Sequence, residues 1–163
     1  MTFTETNDPD IKQAVQSFQS LEVDDQLALF YFIYKEMGKS ITPAAPGAST
    51  AGTDIAEGLF NQIKEKSHEE QLQFQRDLIN NADNEYTRMY GSMSETTKLL
   101  VLYRLSQGMD SGEIIPMPSD YKISAQAEEL FGKIKEMEFQ KQITLFRDYV
   151  GPMGAEAKSG ADI

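Results

Sequence analysis

The sequence contains no cysteine, and that absence excludes several kinds of chemistry. Without a thiol the chain has no cysteine nucleophile, no disulfide bond and no thiolate metal site. Its single histidine, His68, lies beside Glu69 and Glu70 at the start of a predicted helix, where an exposed side chain is expected. The sequence also lacks a GxSxG motif, an HExxH motif, a glycine-rich phosphate loop and an EF-hand loop. We therefore predict that the protein is not an enzyme.

Basic side chains are scarce. Lys and Arg together number 15 against 26 Asp and Glu, which leaves a formal charge of -11. Nucleic-acid binding needs clustered Lys and Arg, so DNA and RNA are disfavoured as partners, and so are anionic membrane surfaces. The acidic surface either attracts a basic protein partner or serves only to keep the protein soluble.

Long hydrophobic runs are absent as well. The most apolar stretch, LALFYFIY at residues 27–34, is far shorter than the roughly 20 residues that cross a bilayer. The opening MTFTETNDPD has neither a basic start nor an apolar run, so we expect no signal peptide and a cytoplasmic protein. A helix that is apolar on every side must be surrounded, either by protein alone or by protein and an apolar ligand.

Strand-like alternation of apolar and polar residues is also missing, which predicts an all-α fold. The segment AEGLFNQIK at residues 56–64 returns about 71 residues later as AEELFGKIK, at residues 127–135. In both segments apolar residues recur at positions i, i+3, i+4 and i+7, as they do on one face of a helix. This internal repeat predicts two pseudo-symmetric four-helix bundles, residues 10–81 and 82–153, related by a pseudo-two-fold axis.

The ends of these units follow from turn and capping signals. A flexible arm is expected at 1–9 and a flexible tail at 154–163, and the polar, glycine-containing stretch from Gly151 onwards is expected to fray. Helix boundaries are predicted near 10–20, 24–37, 54–66, 68–80, 84–92, 95–108, 124–136 and 138–149. The predicted caps are N-caps at Thr53 and Ser124, a capping box at Ser67 and Glu70, and a C-terminal glycine at Gly38.

Soft and aromatic side chains are plentiful, with 7 Tyr, 9 Phe and 8 Met. Many of them lie on two apolar helices, residues 27–37 and 98–109, or in the loop at 114–121. These helices are equivalent in the repeat, because Leu27, Tyr31 and Met37 align with Leu99, Tyr103 and Met109. Methionine and tyrosine at a seam between bundles would suit a long, flat, conjugated ligand, and would equally suit an ordinary core.

Three stretches carry a resemblance to a known family: DDQLALFYFIYKEMGKSITPAAPG, KLLVLYRLSQGMDSGEIIPMPSDYKISAQA and QITLFRDYVGPMG. Together they closely resemble the N-terminal carotenoid-binding domain of the orange carotenoid protein family, which the stand-alone helical carotenoid proteins share. The similarity extends over about residues 18–154. It implies two helical bundles that hold a ketocarotenoid along their seam, canthaxanthin first, with echinenone or 3'-hydroxyechinenone as alternatives.

The same resemblance implies a role in photoprotection. Relatives of this kind quench excitation from the phycobilisome, quench singlet oxygen, or store and transfer carotenoid. The implied partners are carotenoid, the phycobilisome at the thylakoid surface, and a separate regulatory or carotenoid-carrier domain protein, with this chain a monomer or weak dimer that lacks the second, α/β domain of the longer relatives. A pigment-free interaction protein with an acidic surface is the alternative.

Carried over residue by residue, the resemblance predicts a carotenoid site. Its Arg147 resembles an arginine that bridges to the second domain of longer relatives, and here it is available to an antenna partner, to the tunnel mouth or to an ion pair with Asp148. The predicted site residues are Leu27, Tyr31, Tyr34, Leu99, Leu102, Tyr103, Met109, Met117, Tyr121, Ile143, Arg147 and Val150.

Tryptophan, which this chain lacks entirely, marks a departure from the family. The family usually has tryptophan where Tyr31, Met93 and Leu102 stand, and often methionine at Gln75. Smaller groups at these positions are expected to widen the tunnel or to loosen its contact with the pigment's end rings, since an aromatic pair contributes roughly 0.5 to 1.5 kcal/mol beyond its buried area.

Overall fold

A computed structural model describes residues 8–41 and 50–155, with side chains for 8–37 and 54–155. All of its regular structure is helical, which confirms the predicted all-α fold in these residues. The helices are α1 (Pro9–Ser20), α2 (Val23–Ile41), α3 (Thr50–Lys64), α4 (His68–Asn80), α5 (Glu85–Gly91), α6 (Glu95–Ser111), α7 (Ala125–Glu136) and α8 (Phe139–Val150).

Several helix ends follow directly from local sequence. Ser67 and Glu70 form the predicted capping box at the start of α4, and the Ser124 hydroxyl accepts a hydrogen bond from the Ala127 N–H at the start of α7. His68 is exposed in the first turn of α4, as expected. Helix α6 ends at Ser111 and is followed by Gly112, whose φ of 88° lies in the left-handed region that glycine enters without a steric cost.

One predicted boundary is met in part and another is wrong. The backbone of α2 leaves the helical conformation at Met37, where φ is -134° and ψ is 15°, as the predicted end before Gly38 requires, but helix resumes beyond this kink and continues to Ile41. Thr53 is not an N-cap, because α3 already begins at Thr50. A glycine or a threonine allows a boundary without requiring one, and tertiary packing decides whether the helix continues.

The core is built from the predicted apolar faces. On α3, Ala56, Leu59, Phe60 and Ile63 are all at most 3% exposed. The equivalent face of α7 buries the residues Ala127, Leu130 and Ile134, and leaves Phe131 partly buried. Burying these stripes drives the packing, at roughly 25 cal/mol for each Å² of apolar surface removed from water.

Helix contacts cross between the two predicted halves. Helix α1 packs against α7 and α8, and α5 packs against α3 and α4. Helix α2 contacts α6, α4 and α7, and α6 contacts α2, α8 and α3. If α1 to α4 correspond to α5 to α8, these contacts map onto one another. The first helix of each half therefore packs against the third and fourth helices of the other half.

One side-chain hydrogen bond also occurs twice at the predicted spacing. The Gln71 amide Nε2 donates to the carbonyl of Ile63 at 3.3 Å, and Gln142 Nε2 donates to Ile134 at 2.9 Å. Both bonds join the fourth helix of a half to the end of its third helix. They agree with the repeat, and the symmetry relation and the bounds of the two halves stay predictions.

The segment that follows α8 is ordered, contrary to the expectation of fraying from Gly151. We call residues 151–155 the post-α8 segment. The N–H of Gly154 donates to Leu78 at 2.9 Å and that of Ala155 donates to Thr87 at 3.2 Å. Met153 and Ala155 are 7% and 6% exposed, so apolar burial and backbone hydrogen bonds outweigh the flexible composition. The rest of the predicted tail and most of the predicted arm lie outside the described residues.

Candidate functional site

Three tyrosines meet where α2 packs against α6. The ring of Tyr34 lies edge-on to that of Tyr103, with centroids 5.1 Å apart and planes at 76°. Tyr31, one turn earlier on α2, places its ring centroid 6.3 Å from that of Tyr34. Edge-on and tilted rings bring the positive rim of one ring toward the negative face of another. The packing of the two helices thus brings the three rings together, and we call Tyr31, Tyr34 and Tyr103 the tyrosine surface.

A charged group lies at one end of this surface. The Tyr31 hydroxyl donates to Asp110 at 2.9 Å, and the Lys35 ammonium donates to both oxygens of the same carboxylate at 3.1 and 3.2 Å. The lysine and the tyrosine hydroxyl lower the pKa of Asp110. Burial, followed by the hydrogen bond to Asp110, raises the pKa of Tyr31, so the phenol stays protonated and can donate.

Helix α8 packs against α6 and brings a second set of predicted residues to it. On α6 Leu99 is 1% exposed and Leu102 is 8% exposed, and on α8 Ile143 and Val150 are buried as well. Arg147 is partly buried, and its positive charge acts on Glu95 in the first turn of α6. Burial, then the charge of Asp148, raises the pKa of Glu95, and Arg147 opposes that rise.

The loop between α6 and α7 is attached to α2 through a buried carboxylate. The Tyr121 hydroxyl donates to Asp25 at 3.0 Å, and the N–H of Ser124 donates to the other carboxylate oxygen at 3.1 Å. Burial and this hydrogen bond raise the pKa of Tyr121 to about 12. Asp25 is 7% exposed, so its partners compensate for the loss of water around the charge.

The structure groups the predicted residues to different degrees. Tyr31, Tyr34 and Tyr103 have rings in contact, and Tyr121 is joined to α2 through Asp25. The other predicted residues lie on α2, α6 and α8 or in the loop between α6 and α7. Of these, Leu27, Met109 and Met117 are partly buried. That all twelve line one continuous channel stays a prediction.

A cavity of about 500 Å³ lies elsewhere in the described part of the molecule. It is lined by residues of α1, α7 and the start of α8, including the apolar side chains Ala14, Leu130 and Met137. The charged side chains in its lining are Asp10, Lys133, Glu136, Glu138 and Lys141. None of the twelve predicted site residues lines it. A lining with five charged side chains does not suit a long, apolar conjugated ligand.

Sequence reasoning missed three polar groups at the seam, Lys35, Asp110 and Asp25. Lys35 follows Tyr31 by four residues, so the two lie on one face of α2, and this spacing was the only signal available. Both carboxylates accept hydrogen bonds from residues far away in the sequence. The packing of α2 against α6 and against the loop that follows α6 brings them to these partners.

Arg104 is a further group that the sequence did not indicate. Its guanidinium lies 3.8 Å from the centroid of the Phe60 ring, and its Nε donates to Glu57 at 2.8 Å. Both partners are on α3, so Arg104 fastens α3 to α6 directly beside Tyr103. A guanidinium that stacks on a ring and pairs with a carboxylate is held in one orientation.

The four positions at which the resemblance implies a departure from the family are filled in different ways. Leu102 is buried, and Met93 is partly buried against the core. Gln75 is buried too, and its amide donates to the carbonyl of Gln71 at 3.5 Å. Tyr31 alone of these four acquires a hydrogen bond to a charged group, the one to Asp110.

The described residues contain neither a metal-binding cluster nor a membrane-spanning helix. Within residues 8–41 and 50–155, no group of three or more His, Cys, Asp or Glu side chains is arranged to hold a metal ion. Among the helices described above, none has the length and apolar character needed to span a membrane.

Comparisons with known proteins agree on one family. A family model described as "Orange carotenoid protein, N-terminal" matches residues 4–156. The solved structure of the Red Carotenoid Protein of Anabaena (Nostoc) sp. PCC 7120 binding canthaxanthin is 59% identical, with a TM-score of 0.81, and the match covers 91% of this chain and 100% of that chain.

Curated relatives give the same result. An orange carotenoid-binding domain-containing protein of Nostoc sp. is 45% identical over 146 residues, which is 90% of this chain and 84% of the relative. The orange carotenoid-binding protein of Synechocystis sp. is 39% identical over 147 residues, 90% of this chain and 46% of the relative. The chain thus spans about half the length of the Synechocystis protein.

Proposed function

Since this chain belongs to the family of orange carotenoid protein N-terminal domains, we propose that it binds a ketocarotenoid between its helices and serves photoprotection without catalysing a reaction. Canthaxanthin is the pigment we propose first, because the similar Red Carotenoid Protein and an orange carotenoid protein of the same organism bind it. A related structure holds a mixture of carotenoids, which supports a site that tolerates other end groups.

One observation carries this proposal: the family match, over residues 4–156, includes the whole described fold and both helices of the tyrosine surface. The geometry adds a physical reason. Rings of Tyr34 and Tyr103 can stack on a polyene end ring, while Leu99, Leu102 and Ile143 exclude water from it. Burial of a few hundred Å² of carotenoid at about 25 cal/mol per Å² contributes on the order of 10 kcal/mol before ordering costs.

The polar end of the tyrosine surface is where we propose that one keto ring lies. A carbonyl oxygen accepts hydrogen bonds. The Tyr31 hydroxyl uses its one proton for Asp110, whereas the Lys35 ammonium has three N–H donors, of which its two bonds to Asp110 leave one for a keto oxygen. Tyr121, Met109, Met117 and Leu27 would then contact the polyene farther along the seam.

The proposal is tested by producing the protein in cells that make ketocarotenoid and measuring visible absorbance after purification. A bound polyene in an anisotropic, dry site should absorb at longer wavelength than the same pigment in organic solvent. A colourless preparation would contradict pigment binding. Singlet-oxygen lifetimes measured with purified protein, and fluorescence of isolated phycobilisomes with and without it, then separate oxygen quenching, antenna quenching and simple carriage.

The first prediction compares two substitutions. Tyr103→Ala should lower pigment occupancy several-fold, because it removes one ring of the tyrosine surface. His68→Ala should leave occupancy unchanged, because His68 is exposed at the start of α4. Pigment-to-protein absorbance ratios measure both. Equal colour in the two variants would show that Tyr103 lies outside the pigment site.

The proposed cellular setting is the cytoplasm, at the phycobilisome on the thylakoid surface, with the protein as a monomer or weak dimer. The candidate protein partners are the phycobilisome and a separate carotenoid-carrier domain. Sedimentation of the coloured protein with isolated phycobilisomes, compared with the colourless protein, tests the first partner. Light scattering over a range of concentrations tests the oligomeric state.

A further inference from the structure

A buried lysine on α6 is not among the predicted pigment-site residues. Lys98 is 6% exposed and precedes Leu99, in the first turn of the helix. Its ammonium donates to the carbonyls of Gly151 and Met153, and it lies 5.4 Å from the centroid of the Tyr90 ring. Burial lowers the pKa of this ammonium, and the charge of Glu95 acts in the other direction.

Both carbonyls belong to the post-α8 segment, which other groups hold as well. The amide of Asn81 donates to Pro152 at 2.7 Å and to Gly154 at 3.0 Å. A Cβ on Gly91 would lie 1.7 Å from the carbonyl oxygen of Ala155, so the segment passes very close to α5. Residues of α4, α5 and α6 thus form a seat for this segment, and Lys98 supplies the only ammonium in it among the described residues.

The repeat contains a neutral counterpart of this lysine. Gln26 aligns with Lys98, is 5% exposed, and donates from its amide to the carbonyls of Leu21 at 2.8 Å and Gln19 at 3.2 Å. Those carbonyls end α1, which corresponds to α5 in the repeat, whereas Gly151 and Met153 follow α8. The two donors are therefore equivalent in the repeat while their acceptors are not, and what they share is a buried donor in the first turn of an apolar helix that binds two carbonyls where another helix has ended.

We propose that Lys98 is a positioning residue whose ammonium group holds the post-α8 segment in its seat and so fixes the last turn of α8 beside the pigment. The link to α8 is short, because Val150, the last residue of α8, immediately precedes Gly151. The carbonyl of Val150 also accepts a hydrogen bond from the Tyr90 hydroxyl at 3.4 Å. Losing the two Lys98 hydrogen bonds would release the segment and let Val150 and Arg147 shift. The part concerning pigment rests on the proposed function, and the part concerning the segment does not.

The test begins with pigment-free protein. Amide hydrogen exchange at Gly154 and Ala155, measured by NMR, reports whether the segment leaves its seat. Lys98→Met keeps the length of the side chain and removes the donors, so exchange at both amides should rise roughly tenfold. Lys98→Gln copies the counterpart Gln26, and exchange should stay within about threefold of the wild-type rate. Lys66→Met, a partly buried lysine over Tyr86, is the matched control and should leave both amides unchanged.

Unchanged exchange in Lys98→Met would overturn the proposal, and so would a Gln variant that exchanges as fast as the Met variant. Should Lys98→Met fail to fold, the wild-type protein still decides. Nitrogen-15 NMR should then show Lys98 ammonium protons that exchange much more slowly than those of the exposed Lys133. Equal exchange of the two ammonium groups would contradict a held Lys98.

The same variants, loaded with canthaxanthin, test the second half of the proposal. Lys98→Met should move the absorption maximum of the bound pigment, and Lys98→Gln should restore it. A freed segment with an unmoved maximum would show that Lys98 does not position the pigment wall. If even the wild-type protein holds no pigment, the proposed function fails, while the exchange data on pigment-free protein still decide whether Lys98 holds the segment.

Discussion

At position 31, where the resemblance implies tryptophan, this chain has a tyrosine, and the structure shows what the phenol contributes. The phenol keeps a flat apolar ring beside Tyr34 and gains a hydroxyl that reaches Asp110. A charge-assisted hydrogen bond of this kind contributes roughly 1.5 to 3 kcal/mol where it is shielded, and less at the partly exposed position it has here. The lost ring area is thus offset in part by a fixed side-chain orientation.

Tyr121 should make stability depend on alkaline pH. Its pKa is about 12 in the folded protein and about 10 when unfolded, so between these values the unfolded chain has lost a proton that the folded chain keeps. Its contribution to the free energy of unfolding is therefore fully present below about pH 10 and is lost toward about pH 12. We expect Tyr121→Phe to be about 1 kcal/mol less stable near neutral pH, through the lost hydrogen bond to Asp25.

Urea unfolding of both proteins at a series of pH values measures this difference. It should shrink between about pH 10 and about pH 12, because only the wild-type protein loses the contribution there. A difference that stays constant over that range would show that the hydroxyl of Tyr121 is not held in its neutral form.

Sequence alone identified the aromatic residues at the seam but not the carboxylates that serve them. A run of aromatic residues at helical spacing is visible in one segment, whereas Tyr31 and Asp110 are 79 positions apart and Tyr121 and Asp25 are 96 apart. Which distant carboxylate meets which hydroxyl depends on how α2 packs against α6 and on the loop that follows. Local periodicity predicts neither the packing of the two helices nor the course of the loop.

At the scale of elements, the helices could be placed and their partners could not. Amphipathic spacing and caps are local, and all of the predicted helices are present with ends shifted by a few residues. The packing of α1 on α7 and α8, and of α5 on α3 and α4, has no such local signal. The repeat made two self-contained bundles the simplest expectation, and it is equally consistent with helices that pack across the halves.

Two helical glycines should respond in opposite ways to alanine. A Cβ on Gly108 in α6 would lie 2.6 Å from Ile114 Cγ1 and 2.9 Å from Phe60 Cε1, whereas a Cβ on Gly132 in α7 meets nothing within 4 Å. Overpacking costs about 1 to 3 kcal/mol, so Gly108→Ala should lower the free energy of unfolding. Gly132→Ala should raise it by about 0.5 to 1 kcal/mol, because alanine loses less backbone entropy in a helix.

Thermal unfolding followed by circular dichroism measures both glycine variants against the wild-type protein. The pair is matched in size, since each change adds one methyl group to a helical residue, Gly108 in the last turn of α6 and Gly132 within α7. A stabilised Gly108→Ala protein would mean that α6 and α3 lie farther apart than the structure places them.

For the whole molecule, packing across the halves has a consequence for unfolding. Because the first helix of each half packs against the third and fourth helices of the other, neither half can unfold without exposing apolar faces of its partner. The pigment-free protein should therefore unfold in a single transition, with equal calorimetric and van't Hoff enthalpies. Two separate transitions would indicate that residues 10–81 and 82–153 are independent units.

Pigment should then raise the midpoint of that one transition. A ligand that binds only the folded protein adds about 2.7 kcal/mol to the free energy of unfolding at a free concentration one hundred times its dissociation constant. A carotenoid that contacts α2, α6 and α8 together should stabilise the molecule as one unit, so loss of colour and loss of helicity should coincide. A pigment-free interaction protein would melt at the same temperature with or without canthaxanthin. Colour that disappears well before the helices melt would place the pigment at the surface, outside the seam between the helices.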